Sequence, residues 1–207
     1  MNPFLPSTIE RNKIIKFGDF NWVVLDVQDQ WVLLLSHLVL GSRPYYHSIF
    51  STTTWEFSSL RKYLNREFLI TYFSQEEKAM IETVQLKNYA NPWYTSPNGN
   101  DSDTEDNIFL LSLEEVVQYF GDSGKLFSHR KKENEICDEF NHARAACDDY
   151  GSAASWALRT PGIRHNKITC VNGGVSYGHI NVSGRHIRER FGVRPALWLD
   201  LSQHPHY

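Results

Sequence analysis

The chain has 207 residues, of which 41% are hydrophobic and 14% aromatic, values that suit a globular protein with a sizeable core. Its formal net charge of −3 does not indicate global electrostatic steering toward nucleic acid, so a nucleic-acid partner is not expected. No apolar run approaches the ~20 residues that cross a bilayer, so no membrane partner is expected.

The first residues lack a basic stretch followed by an apolar core, so no signal peptide is predicted. The expected location is therefore cytoplasmic or virion-associated. The chain has three cysteines, Cys137, Cys147 and Cys170. So small and odd a number argues against a disulfide framework. Reduced thiols are expected, and a single bridge between residues 137 and 147 is left open.

The first half of the chain predicts strands followed by helices. Residues 14–27 read as one strand with a bend, and residues 31–40 read as a second strand that pairs with it in a hairpin. A helix is predicted from Ser58 or Ser59 to about Phe68. Ser74 and the glutamate three residues later form a capping box that starts another helix.

The second half predicts a loop over residues 88–107, a short strand over 108–111 and a helix that begins at the capping box of Ser112. Residues 128–150 carry no strong breaker and are predicted to be helical. From Gly151 onward, glycines separate short β-prone pieces, which indicates a meander of strands and turns. The sequence thus predicts one α+β domain over residues 1–207, with terminal strands in a common antiparallel sheet and helices packed against it.

Six motifs, in order along residues 14–200, resemble the DUF6273 family of bacterial domains. The matching residues are Gly18, Trp22, Val24, Leu25, Asp26 and Val27, then Thr54, Trp55, Glu56, Ser58, Leu60, Arg61, Leu64 and Asn65, then Phe73, Ser74, Glu76, Glu77 and Lys78, then Thr104, Asp106, Phe109, Leu110, Leu111 and Ser112, then Trp156, Leu158, Arg159, Thr160, Pro161 and Gly162, and finally residues 192–199. Tyr63 and Ala157 depart from the pattern, since relatives carry tryptophan at both positions.

The resemblance implies a C-type-lectin-like fold of the formylglycine-generating-enzyme type. It also implies similarity to variable proteins of diversity-generating retroelements, in which a fixed scaffold carries a hypervariable C-terminal binding surface. The corresponding variable segment here is about residues 156–199. The sulfatase-activating relatives bind copper through a cysteine pair near the C-terminus, whereas this region holds only Cys170, so that chemistry is not expected.

Between the two C-terminal motifs, residues 163–191 combine sparse apolar positions with many polar ones. The candidate ligand-binding residues are Arg164, His165, Asn166, Asn172, Ser176, Tyr177, His179, Asn181, Arg185, His186, Arg188 and Arg190. A rigid frame that exposes Tyr, Asn, Ser, His and Arg side chains has the physical character of a paratope. A protein, peptide or glycan ligand is expected, and a plain solvated surface is the alternative. Retroelement mutagenesis of Asn-type codons does not yield Lys or Glu, so Lys167 and Glu189 would be fixed positions.

Four residues are assigned to the structural frame of this segment: Trp156, Arg159, Arg194 and Trp198. Each arginine is expected to form a buried ion pair or carbonyl contacts, because a guanidinium offers five donors in a rigid fork. The tryptophans are expected in the core.

No metal, cofactor or catalytic centre is predicted. The acidic residues at 101, 103, 105 and 106 would suit calcium but lack the spacing of an EF-hand loop, and the cysteines and histidines of residues 137–147 do not share one helix face. No nucleophile elbow, phosphate loop or zinc helix occurs. The predicted function is non-enzymatic ligand binding. The alternative is a structural or assembly subunit of a phage, pilus or defence complex, and the oligomeric state stays open.

Overall fold

A computed structural model describes residues 9–48, 53–94, 101–128, 133–164 and 166–203. Its strands are β1 (Ile14–Phe17), β2 (Phe20–Gln28), β3 (Trp31–Ser36), β4 (Ser42–Pro44), β5 (Val84–Leu86), β6 (Thr104–Asp106), β7 (Glu135–Ile136), β8 (Trp156–Pro161), β9 (Lys167–Val171), β10 (Ile180–His186), β11 (Arg190–Gly192) and β12 (Ala196–Asp200). Its α-helices are α1 (Ser59–Tyr63), α2 (Leu69–Tyr72), α3 (Gln75–Met80), α4 (Leu113–Phe120) and α5 (Asn141–Arg144). The fold is therefore α+β, with several antiparallel sheets and few helices.

The first sheet has the strand order β1-β2-β3-β12 and brings the two ends of the described chain together. Trp198 of β12 lies opposite Leu33 of β3, and this antiparallel pairing confirms the predicted union of N- and C-terminal strands. Residues 14–27 form two strands rather than one bent strand, because the chain reverses at Gly18-Asp19 and Phe17 pairs with Phe20.

The second sheet has the order β4-β11-β8-β9-β10-β7 and carries most of the segment after Gly151. Its pairs are antiparallel except for β8 and β11, which run parallel where Trp156 meets Gly192. The two strands that pair with β9, β8 and β10, each contain a β-bulge opposite it. Gly184 lies in one of these bulges with a φ of +79°, and a Cβ there would stand 2.7 Å from the carbonyl oxygen of Ile168, so only glycine fits without a shift.

The helices α1, α3 and α4 begin directly after the predicted capping residues Ser58, Ser74 and Ser112. Both predicted capping boxes are confirmed, at Ser74 and at Ser112. The helix that begins after Ser58 runs further than predicted, to Tyr72, and contains a π-helical stretch, Leu64–Phe68. None of the helices in the described ranges has the length and apolar character needed to span a membrane.

Asp106 is the centre of a buried hydrogen-bond network that joins the helices to β6. Its side chain is inaccessible to solvent, and its carboxylate accepts hydrogen bonds from Trp55 Nε1 at 2.9 Å, Arg61 Nε at 2.6 Å, Asn65 Nδ2 at 3.0 Å and Thr104 Oγ1 at 2.8 Å. The side-chain oxygen of Asn65 also accepts from the backbone N–H groups of residues 107 and 108. Residues far apart in sequence thereby fix one another.

The loop predicted over residues 88–107 contains the strand β6, and two further predicted elements are wrong. Residues 108–111 form only an isolated bridge, between Phe109 and Ala196, and no strand. Of residues 128–150, the described part contains only the short strand β7 and the four-residue helix α5. Asp138 and Asp148 accept hydrogen bonds from nearby backbone N–H groups, which favours turns over helix in this stretch.

We predict that Asp106→Ala lowers the free energy of unfolding by about 3–5 kcal/mol, because it removes the buried acceptor shared by the half-buried guanidinium of Arg61 and three other polar groups. Urea denaturation followed by tryptophan fluorescence would measure the loss. Asp103→Ala is the matched control, since Asp103 pairs with Lys87 at the surface and should contribute less than about 1 kcal/mol. Equal losses in the two variants would contradict the assigned role of Asp106.

Candidate functional site

Arg159 joins the second sheet to the start of α4. Its guanidinium makes two hydrogen bonds to the carboxylate of Glu115, of 2.5 and 2.8 Å, and also donates to the carbonyl oxygen of Leu110 and the side-chain oxygen of Asn88. Glu115 in turn accepts from the backbone N–H of Ser112 in the capping box. The arginine is buried, so this bidentate pair is a structural clamp.

Arg194 is buried without an ion-pair partner among the described residues. Its Nε donates to the carbonyl oxygen of Ser36 at 3.0 Å, and its guanidinium lies 4.9 Å from the ring centroid of Trp156. One terminal nitrogen, Nη1, has no hydrogen-bond partner. Burial lowers the pKa of Arg194 to about 10. Trp156 is also fully buried, whereas Trp198 is half-buried and borders a groove.

A third buried arginine, Arg144, was missed by the sequence reasoning. It donates to the carbonyl oxygens of Gly178 and Gly121 and forms an ion pair of 2.6 Å with Asp138. Gly178 has a φ of +77°, and a Cβ there would overlap the backbone of Asn141, so this turn approaches α5 more closely than any other residue type allows. The position inside a charged, helix-like stretch gave no signal of this role.

We call the outward side chains of residues 163–191 the C-terminal face. The apolar residues Ile168, Val171, Ile180, Val182 and Ile187 all point inward and are buried. None of the described polar candidates is buried: Arg164, Arg188 and Arg190 are exposed, and Asn166, Asn172, Ser176, Tyr177, His179, Asn181, Arg185 and His186 are half-buried. His165 lies outside the described residues.

The candidates do not form one continuous patch. Arg185 and Arg190 line a groove of about 410 Å³ together with Asp149 and Tyr150, which we call the arginine groove. Asn181 lines a different groove, described below. Tyr177 lies apart from both, with its ring beside His142 and its hydroxyl 3.9 Å from the sulfur of Cys147.

The arginine groove is held by local contacts. Arg185 forms an ion pair of 2.7 Å with Glu189 and lies 5.2 Å from the ring centroid of Phe191. Partial burial raises the pKa of Glu189, but hydrogen bonds from Arg185 and from the backbone N–H of His186 outweigh it, so the pKa stays below its usual value. Arg190 donates to the carbonyl oxygen of Ser42. The groove thus presents oriented guanidinium groups and an exposed phenol ring.

A second groove, of about 420 Å³, lies where β7 meets β10. We call it the cysteine groove, and its lining includes Lys125, Asn134, Glu135, Cys137 and Asn181. All three cysteines of the chain are free, so the bridge left open between residues 137 and 147 is absent. Among the described residues, no three His, Cys, Asp or Glu side chains are arranged to hold a metal ion.

The most capacious of these grooves, about 620 Å³, was not foreseen from the sequence. We call it the Glu114 groove, and it lies between the start of α4, the segment around β5 and the rings of Trp31 and Trp198. Oε2 of Glu114 is buried without a hydrogen-bond partner, and burial raises the pKa of this carboxyl. Lys87 and Arg159 also line this groove, so its charge is mixed. The sequence predicted for Glu114 only a position in the first turn of a helix.

The comparisons with known proteins give one family and no individual relative. A family model described as a domain of unknown function, DUF6273, matches residues 29–201. Comparison with curated proteins and with solved structures found no match.

We predict that Glu114→Gln raises the free energy of unfolding at pH 7 by about 1 kcal/mol, because burial disfavours the charged form of this carboxyl in the folded state. Since the folded-state pKa of Glu114 is raised, the wild type loses stability as the pH rises from the unfolded-state value through the folded-state value. The gain should therefore vanish below about pH 4. Thermal unfolding at several pH values would measure it. Glu82→Gln, at an exposed carboxylate of the same groove, should change stability by less than about 0.5 kcal/mol at any pH.

Proposed function

The chain belongs to the DUF6273 family, and we propose that it is a ligand-binding protein that presents its C-terminal face on a C-type-lectin-like scaffold. The observation that carries the proposal is that apolar and polar side chains of residues 163–191 differ in burial. Most of their apolar side chains fill the core, with Ile163 and Val175 exposed, and every described polar candidate is exposed or half-buried. Changes among the polar residues can therefore alter recognition at little cost in stability.

The frame around this segment supports the proposal because it acts mainly through the backbone. Arg144 binds the carbonyl oxygen of Gly178, and Arg194 holds the carbonyl oxygen of Ser36 while stacking on Trp156. Residues 172 and 179 join through a backbone hydrogen bond. These contacts do not depend on the side chains of the face, which is what a scaffold for a variable surface requires.

The chemistry of the face favours a protein or peptide ligand. Tyr150, Ile163 and Val175 expose large apolar side chains around it, with exposures of 92%, 45% and 106%. Exposed aromatic and aliphatic groups beside arginines are typical of the anchors of protein interfaces. A glycan is the less favoured alternative.

In this proposal the diversified segment is about residues 156–199, within a retroelement-type variable protein. Glu189 supports that division, because it holds both Arg185 and the backbone of His186 and so has a structural reason to stay fixed. A nearby reverse-transcriptase gene and a near-copy of the DNA for this segment are expected in the genome. A neighbourhood with neither would remove the retroelement part of the proposal.

We predict that combined substitution of Tyr177, Arg185, His186 and Arg190 by alanine changes which peptides are selected from a displayed library. The melting temperature should stay within about 5 °C of the wild type, because none of the four side chains is buried in the core. Peptide selection on the immobilised protein and calorimetry would measure the two effects. Loss of the folded state, or selection of the same peptides by both proteins, would contradict the proposal.

The alternative function, a structural or assembly subunit, makes a different prediction. The same face would then be covered permanently by another subunit. Size-exclusion chromatography with light scattering distinguishes the two, because a stable homo-oligomer that the four substitutions dissociate would favour assembly over reversible ligand binding.

A further inference from the structure

The pairing of β7 with β10 places a thiol, an imidazole and a carboxylate side by side. Ile180 lies opposite Ile136, and Asn181 lies opposite Glu135, so residues 137 and 179 follow directly as the next cross-strand neighbours. Sγ of Cys137 is 3.1 Å from Nε2 of His179. Nδ1 of His179 is 3.5 Å from Oε2 of Glu135.

The sheet fixes this arrangement rigidly. Ile136 and Ile180 are fully buried, so alternation along the two strands turns residues 135, 137, 179 and 181 to the opposite face. Cys137 is exposed, and the imidazole of His179 is 21% exposed. The nucleophilic atom is therefore accessible while the group beside it is held in place.

His179 is placed to act as the base toward the thiol of Cys137. Its other ring nitrogen, Nδ1, is buried without a hydrogen-bond partner among the described residues and faces the Glu135 carboxylate at 3.5 Å. A protonated imidazole would place that N–H⁺ beside the Glu135 carboxylate and donate from Nε2 to the sulfur. Asn141 Nδ2 lies 3.5 Å from the same sulfur and adds a second donor to it. A nucleophile, a base and a group that orients the base are the elements of cysteine nucleophiles in general.

The adjoining cysteine groove offers donors for a carbonyl oxygen. The side-chain oxygen of Asn181 already accepts from Ser183 Oγ and from the backbone N–H of Gly184, so its N–H₂ group is what it offers to a ligand. The ammonium group of Lys125 also borders the groove, where it donates to the carbonyl oxygen of Cys137. Such donors stabilise the negative charge that develops on a carbonyl oxygen under attack.

We infer that Cys137 is an activated nucleophile and a site of covalent acylation by an ester or thioester. The sulfur attacks the carbonyl carbon, and His179 takes the thiol proton. The bond from that carbon to the leaving oxygen or sulfur breaks, and His179 returns the proton to the leaving group. The acyl group stays on Cys137 as a thioester, and no oxidant or further reactant is needed. This site goes beyond the proposed ligand binding, and it shares His179 and Asn181 with the C-terminal face.

The chain contains its own control cysteines. Cys170 is fully buried, and burial raises the pKa of its thiol to about 12. Cys147 is half-buried, and its sulfur neighbours the Tyr177 hydroxyl instead of an imidazole. Among the cysteines of the described residues, only Cys137 is exposed and also lies at hydrogen-bond distance from a histidine.

Two probes test the inference on the full chain at pH 7, with the modified cysteine identified by mass spectrometry. Iodoacetamide should modify Cys137 at least about tenfold faster than Cys147, and p-nitrophenyl acetate should release one equivalent of nitrophenolate while acetylating Cys137. His179→Ala should slow both reactions by about 10²-fold, the usual contribution of a positioned base. Glu135→Gln should slow them less.

His142→Ala is the matched control, because it removes a neighbouring histidine that packs against Tyr177 and leaves the three groups intact. Its rates should equal those of the wild type, and melting temperatures of all variants would verify that they fold. His179→Gln provides a second variant of similar size. Equal modification of Cys137 and Cys147, or unchanged rates in both His179 variants, would overturn the inference, and alkylation without acetylation would overturn its acyl-transfer part.

Discussion

The buried carboxylate of Asp106 is the interaction on which the rest of the domain depends. A charge removed from water must be compensated by hydrogen bonds and opposite charge, and Asp106 obtains both from the helix that carries Arg61 and Asn65. The same aspartate ends β6, shortly before α4 begins. In α4, the carboxylate of Glu115 forms a comparable ion pair with the buried Arg159 of β8. A chain of buried polar contacts thus runs from the helices to the second sheet.

This chain of contacts explains how the C-terminal segment can be rigid and yet free at its surface. Arg144, Arg159 and Arg194 bind to carbonyl oxygens, and the first two also bind the carboxylates of Asp138 and Glu115. These contacts hold the strands on the side away from the C-terminal face. The exposed side chains of the segment take little part in that support. Stability therefore resides mainly in the buried frame, although Asn181 and Arg190 add local backbone contacts. This partial separation is the physical basis of the proposed binding function.

The surface features divide between the two ends of β10 and a distant groove. The arginine groove gathers positive guanidinium groups near the end of β10, whereas the cysteine groove lies at its beginning, beside β7. The Glu114 groove lies elsewhere, at the start of α4. The three sites differ in chemistry, and the cysteine groove shares Asn181 with the C-terminal face.

The sequence by itself determined the features that depend on neighbouring residues: the opening hairpin, the capping boxes at Ser74 and Ser112, and the α+β class. It also identified the family, whose match over residues 29–201 covers the predicted motifs except the first, at residues 18–27. Only the tertiary structure decided which distant residues meet. The hub at Asp106, the burial of Arg144 and the contact of Cys137 with His179 depend on strand register and on packing across many residues of chain. Residues 128–150 show the limit, because a pattern without breakers predicted a helix where aspartate side chains and a buried arginine stabilise turns. Local propensity is weak, and long-range contacts override it.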